Sequence, residues 1–245
     1  LLYGCSIHYF TGQRWATYTG FKRIFYQLID KFVTMSCTNY YCDSQSQSKF
    51  ISTTLNIRPP RVIGSGSVSG IDLSKFSPIN NSLSSVKSLR ASLFHSPIDE
   101  YSFIFGYVGR LNRDKGVFTL LDAFLSLSHE IADIYLVLVG PLEFTGSELI
   151  LFENLLSSNK NIIHIPYVTD TSSFYKSFDV FVLPSFREGF GTVILEAAAS
   201  RLPIIISNIP GPTDFVSHMV NGLVFESGNS SDLASAMNRL YYDQN

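Results

Sequence analysis

The stretch REGFGTVILEAAAS, Arg187 to Ser200, sets two glutamates, Glu188 and Glu196, eight positions apart around two glycines, a threonine and an apolar run. Paired carboxylates can serve as an acid/base couple, as metal ligands or as acceptors for hydroxyl groups. The surrounding residues read as a buried strand (VFVLPS), a glycine loop (FREGFG) and a helix of strong formers (TVILEAAAS). With the helix opening near Gly191, Glu196 lies about one and a half turns inside it, roughly 7–8 Å further along the axis. Glu188 stays in the loop, so the carboxylates stand about 10 Å or more apart with the helix N-terminus between them. A glycosidase pair flanks one bond at roughly 5–10 Å, which strains that reading. A metal pair needs closer convergence and more ligands. The spacing suits a long ligand whose anionic middle rests on the helix N-terminus while hydroxyls at its two ends reach the carboxylates. A plainer alternative makes Glu188 a dipole-favoured charge and Glu196 an exposed mid-helix residue.

A second constellation lies in FIFGYVGRLNRDKGVFTLLDAF, Phe103 to Phe124. A strand ends at Gly109, a loop carries Arg110, Arg113 and Lys115, and a helix opens near Gly116. Glycine permits close backbone approach, and free N–H groups with the helix dipole favour an anion. Arg110 and Lys115 add full positive charges, so a diphosphate fits. A solvated loop with basic residues is the other reading of the same spacing.

These loops need a scaffold. From Tyr101 onward the pattern predicts strands at Phe103–Val108, Ile134–Val139, Ile162–Ile165, Val180–Leu183, Ile204–Ser207 and Leu223–Phe225, alternating with helices at Gly116–Leu127, Gly146–Ser157, Thr171–Ser177, Gly191–Ser200 and Ser230–Tyr241. Continuous apolar strands separated by helices predict an α/β fold with a doubly wound parallel sheet, which binds ligands beyond the carboxyl ends of its strands. Upstream, Gly20–Ser36 reads as a helix with Phe25, Leu28, Ile29, Phe32 and Val33 on one face, followed by short strands near Tyr40–Cys42 and Arg61–Ile63. The turn-rich stretch Gly64–Pro78 suggests a boundary. The expected division is 1–76 as the latter part of one domain, 77–99 as linker and 100–245 as a second domain.

Hydrophobic content of 45%, charged content of 16% and a net charge of −2 describe an ordinary globular chain with no electrostatic reason to bind nucleic acid. Cys5, Cys37 and Cys42, odd in number and without a C-x-x-C pattern, read as reduced thiols of a cytosolic protein. Apolar runs are strand-sized, and no signal peptide is visible. The chain opens without methionine and ends inside a helical pattern, so a fragment of a longer protein is expected, one that alone could lack activity.

The motifs GYVGRLNRDKGVFTLLDAF, VLVGPLE, VFVLPSFREGFGTVILEAAASRLPIIISNIPGPTDFV and NGLVFESGN resemble the retaining, nucleotide-sugar-dependent glycosyltransferases of the GT-B fold, family 4 (glycosyl transferases group 1). The resemblance covers roughly residues 100–240. It implies a complete or nearly complete C-terminal Rossmann-like domain that binds the nucleotide sugar, preceded by the latter part of an N-terminal, acceptor-side one. IHYFTGQRWA, DSQSQSKFI and GSGSVSGIDLSKF look similar to bacterial enzymes that build lipid-linked capsule, O-antigen or other envelope glycans. The resemblance thus implies transfer of a hexosyl or N-acetylhexosaminyl group from a UDP-sugar to a polysaccharide or undecaprenyl-linked acceptor. It places Glu196 on ribose hydroxyls and Glu188 near the donor sugar. Gly189, Phe190 and Gly191 present backbone amides, with Gly109 and Thr192 also at the donor. Arg110 and Lys115 match the residues that hold the diphosphate and would stabilise its developing charge, so neither a metal nor another cofactor is expected. His8 matches an acceptor-domain histidine that faces the donor sugar, although a lone histidine beside a strand also serves plain packing. His95, His129, His164 and His218 have no such context, and Asp43 with Ser44–Ser46 lies near the expected cleft without assigned chemistry.

The family's amino-terminal glycine-rich loop would precede residue 1, and its final helix is incomplete here. A sugar epimerase or phosphorylase of the same fold and a non-catalytic nucleotide-sugar-binding fragment are the competing functions. The segment RWATYTGFKRIFYQLIDKF mixes Arg14, Lys22, Arg23 and Lys31 with aromatics. It raises the expectation of a peripheral contact on the cytoplasmic face of the inner membrane, against that of an amphipathic helix packed on its own domain.

Overall fold

Runs of Val, Ile, Leu and Phe with no alternation must be covered on both faces, and the computed structural model places them in parallel sheets under helices. The structure describes residues 6–10, 14–67, 70–78, 83–94, 98 and 102–243. His95 lies outside them.

The first sheet contains β1 (Ile7–Phe10), β2 (Asn39–Cys42) and β3 (Arg61–Val62), all parallel and in that order. α1 (Gly20–Ser36) and α2 (Gln45–Leu55) make the crossovers. Its small core joins Phe10, Trp15, Tyr40, Cys42, Ile51 and Leu55. Trp15 is anchored by an indole N–H donated to Asp30 Oδ2 at 2.8 Å and by stacking on Phe50. The face of α1 expected to be buried is not. Phe25, Leu28, Ile29 and Phe32 are exposed, Phe32 by 71%, and Thr34 is the buried residue of the helix. The 3₁₀ turn at Arg14–Thr17 and α2 touch the helix from other sides.

α3 (Leu73–Phe76) and α4 (Leu83–Leu93) then lead into the larger sheet. Its strands are β4 (Phe103–Val108), β5 (Ile134–Val139), β6 (Ile162–Ile165), β7 (Val180–Leu183), β8 (Ile204–Ser207) and β9 (Leu223–Phe225). α5 (Val117–Ser128), α6 (Ser147–Ser158), α7 (Ser172–Tyr175), α8 (Thr192–Ala199) and α9 (Ser230–Tyr242) alternate with them, except between β8 and β9. The order β6-β5-β4-β7-β8-β9, parallel throughout, reverses direction between β4 and β7. All six expected strands occur at the expected residues, giving the anticipated α/β fold.

The stretch expected to be linker is more ordered than that. Within 77–99 the structure forms α4, and Phe94 and Ile98, together with Phe76 just before the stretch, join the core of the larger sheet. The cause is Arg90, 5% exposed, whose guanidinium donates to the carbonyls of Ser177 and Ser102 and to Asp179 Oδ2 at 2.7 Å. Asp179 also accepts the Ile104 amide at 2.7 Å, so an ion pair between a buried arginine and a partly exposed aspartate ties α4 to the starts of β4 and β7. Burial raises the Asp179 carboxyl above its ordinary pKa, and Arg90 opposes that rise. Inside β4, Gly106 leaves room for Phe178, whose ring would lie 2.0 Å from a Cβ at that position.

Candidate functional site

The reversal of strand order between β4 and β7 opens a crevice at their carboxyl ends, where open α/β sheets place ligands. Two loops meet there. Residues 109–116 follow β4 and residues 184–191 follow β7. Gly116, at φ 67°, is required because a Cβ there would stand 2.0 Å from the Pro184 carbonyl, so the two loops touch through backbone. Asp114 reinforces the junction by an ion pair with Arg187, and its carbonyl accepts the Phe186 amide at 2.9 Å.

Within the crevice a cavity of about 210 Å³ is lined by Gly109, Arg110, Lys115, Glu188, Gly191 and Thr192, all singled out from the sequence. Tyr107, Val108, Leu183 and Val193 complete it. Lys115 Nζ donates to Glu188 Oε1 at 2.5 Å, and Ser185 Oγ donates to the same oxygen at 2.8 Å. Both members of the pair are largely shielded, with side chains 19% and 11% exposed. Arg110 stands at the rim and is steered by Glu143, its Nη1 donating at 3.0 Å. Asn112 donates to the same Glu143 oxygen at 2.7 Å. Those hydrogen bonds, Asn112 first and Arg110 next, hold the Glu143 carboxyl below its ordinary pKa. Tyr107, buried beneath the cavity, donates its hydroxyl to the Arg110 carbonyl at 2.8 Å. Its phenol is pushed up by burial and by the Glu188 charge.

α8 begins at Thr192, after Gly191 in the left-handed conformation at φ 83°, so its N-terminus opens at the cavity. Free amides and the helix dipole favour an anion beside Lys115 and Arg110. Glu196 lies one turn beyond Thr192 on the same helical face and does not line the cavity itself. Burial raises its carboxyl pKa, while the nearby Tyr175 hydroxyl and the Lys75 charge pull it down. Tyr175 is fully buried, and its hydroxyl faces the Glu196 carboxylate from beneath the helix without closing to full hydrogen-bond geometry. The remaining expected residues lie elsewhere. Phe190 is buried with its ring against Gly66, and Gly189 packs on Asp43. His8 packs edge-on against Phe10 in the first sheet, 4.5 Å between ring centroids, with no described contact to the cavity.

Sequence reasoning missed the supports. Ser185, Asn112 and Glu143 carry little signal, since hydroxyl, amide and carboxylate groups abound in loops and only tertiary pairing shows what they hold. It also missed the contacts between the two sheets. Ser46, at the start of α2, receives the Gly211 amide on its hydroxyl at 2.8 Å, and its own amide donates to Asp214 at 2.9 Å. A larger cavity of about 690 Å³ lies between α5 and α6, walled by Phe118, Leu151, Leu155 and Phe186. It is mainly apolar and contains none of the expected site residues.

Known proteins resemble this chain over most of its length. The capsular polysaccharide biosynthesis glycosyltransferase CapM of Staphylococcus aureus is 32% identical over 235 residues, which is 95% of this chain and 60% of that protein. The UDP-Gal:alpha-D-GlcNAc-diphosphoundecaprenol alpha-1,3-galactosyltransferase of Escherichia coli is 26% identical over 224 residues, 91% of this chain and 56% of its own length. The chain thus spans somewhat under two thirds of these two relatives. Anabaena HepE, solved in complex with UDP and glucose, superposes with a TM-score of 0.76 at 21% identity, over 90% of this chain and 58% of that one, a likeness of fold. Residues 90–245 match the family Glycosyl transferases group 1, and with two loops, a helix N-terminus and a cation–carboxylate pair at the strand reversal, the chain belongs to that family.

Proposed function

We propose that this chain forms the donor-binding part of a glycosyltransferase that moves a hexosyl or N-acetylhexosaminyl group, with retention, from a nucleotide diphosphate sugar to a lipid-linked or polysaccharide acceptor. The observation that carries the reading is the Lys115–Glu188 pair in the crevice between β4 and β7, at the N-terminus of α8. In this reading the diphosphate settles on the amides at the start of α8, drawing Lys115 and Arg110. Glu188 is then released toward the sugar hydroxyls, and Glu196 accepts from the ribose. As the glycosidic bond breaks, negative charge gathers on the leaving diphosphate, and the two cations stabilise it. They supply the charge that a metal would otherwise bring, so the reaction is proposed to need none. UDP is the proposed nucleotide, supported by the names of the Escherichia coli relative and of the HepE complex.

Residues 1–76 are proposed to belong to the acceptor side. The apolar stripe of α1, with Lys22, Arg23 and Lys31 beside it, supports a peripheral contact with the cytoplasmic face of a membrane carrying the acceptor. Among the described residues no helix is long and apolar enough to cross one. Flotation with anionic vesicles checks the contact, and a protein that stays at the bottom of the gradient removes it.

Isothermal titration with UDP, GDP and ADP tests the function. One of the three is expected to bind, and Arg110→Ala or Glu196→Ala to weaken it about tenfold or more, the scale of a lost charged hydrogen bond. Binding of none, or binding indifferent to both substitutions, refutes the reading.

A further inference from the structure

Tyr9 and Asp43 form a polar corner where the first sheet meets the glycine loop. Successive side chains of β1 leave opposite faces, so Tyr9 points away from His8. The Tyr9 hydroxyl donates to Asp43 Oδ1 at 2.7 Å. The backbone of Asp43 is pinned twice, its amide donating to Gln47 Oε1 at 2.9 Å and its carbonyl accepting the Ser67 amide at 3.0 Å. The second carboxylate oxygen, Oδ2, rests against Gly189, where a Cβ would come within 2.3 Å of it. Asp43 therefore abuts the backbone of the residue that follows Glu188. No ion pair among the described residues involves it, and Gln47 Nε2 and Ser67 Oγ, buried atoms of the two residues that hold its backbone, have no hydrogen-bond partner. Burial and the Asp43 hydrogen bond push the Tyr9 phenol up, so it remains a donor across the working pH range.

An ionised carboxylate only accepts hydrogen bonds, and with Oδ1 occupied by Tyr9 the other oxygen is left for a hydroxyl. We propose that Asp43, oriented by Tyr9, is a specificity-determining residue that accepts a hydrogen bond from a hydroxyl of the transferred sugar, reaching it from the first sheet while Glu188 reaches it from the glycine loop. The inference rests on the nucleotide-sugar function proposed above and adds the group that chooses the sugar. A site built to pair with one hydroxyl rejects sugars that lack or invert it, because the carboxylate is then left unpaired.

The test titrates the chain with UDP, UDP-glucose, UDP-galactose and UDP-N-acetylglucosamine. In the unaltered chain one sugar nucleotide is expected to bind more tightly than the others. Asp43→Asn, which keeps shape and removes charge, lowers that affinity about tenfold and leaves UDP unchanged, a loss on the scale of a charge-assisted hydrogen bond. Tyr9→Phe gives a smaller loss of the same kind. Equal weakening of UDP and its sugars by Asp43→Asn makes the residue a prop of the loop and overturns the inference. An unchanged order of sugars, or no discrimination in the unaltered chain, also overturns it while the function stands. Failure of UDP itself to bind defeats the UDP assignment and this inference together.

Discussion

α1 and α5 are both helices with apolar residues at helical spacing, yet they meet opposite fates. α5 buries Val117, Thr119, Leu120, Leu121, Ala123, Phe124 and Leu127 between the larger sheet and α9. α1 buries Thr34 and leaves Phe21, Phe32 and Met35 more than two thirds exposed. Local periodicity makes a helix in both cases, and burial depends on what lies alongside. The larger sheet has helices on its flanks and one continuous core, so the apolar face of α5 has a partner. Among the described residues the first sheet has three strands and a core of six buried residues, too little to cover a helix of this length.

The difference is testable by substitution. The largest effect is expected at the junction of α4 with the larger sheet. Arg90→Ala leaves Asp179, 32% exposed, without its cation and strips two backbone carbonyls of their donor, which together should cost about 3–5 kcal/mol in chemical denaturation. A loss below about 1 kcal/mol would mean that α4 is not held as described. Next come the two helices themselves. Leu120→Ala in α5 removes a fully buried side chain and should cost about 2–5 kcal/mol. Phe32→Ser in α1 should change stability by about 0.5 kcal/mol or less. Similar losses at both positions would erase the contrast.

The smallest expected effect concerns pH. Burial raises the Glu196 carboxyl pKa, so on lowering the pH it protonates before an ordinary glutamate does. If its ionised form holds the ribose, nucleotide affinity is full above that raised pKa and declines as pH falls through it. Titrations repeated from neutral pH downward should show this decline, and Glu196→Gln should flatten it. A profile identical in the two proteins detaches Glu196 from the nucleotide.

Much of the larger sheet was legible because its strands are unbroken apolar runs between helices, a pattern with few alternative folds. VFVLP and IYLVLV could only be strands buried on both faces, and β7 and β5 are that. The glycine loops were legible for a related reason, since Gly116 and Gly191 adopt conformations that other residues resist. The first sheet was harder to read. β1 is four residues long, and α2, QSQSKFISTTL, has mostly polar residues with weak helix preference, so its packing rather than its pattern identifies it. The expected linker concealed α4 because its anchor, Arg90, looks like any surface arginine until Asp179 arrives from 89 positions away.

By itself the sequence determined the strand-helix alternation, the two glycine loops and the set of charged residues at their tips, because backbone propensity and burial periodicity are local. Only the tertiary structure decided that Lys115 pairs with Glu188, 73 positions on, that Glu143 steers Arg110, and that Asp43 rests on Gly189. Such pairings depend on distances between elements remote in the chain, and those distances are set when the sheet closes and its helices pack.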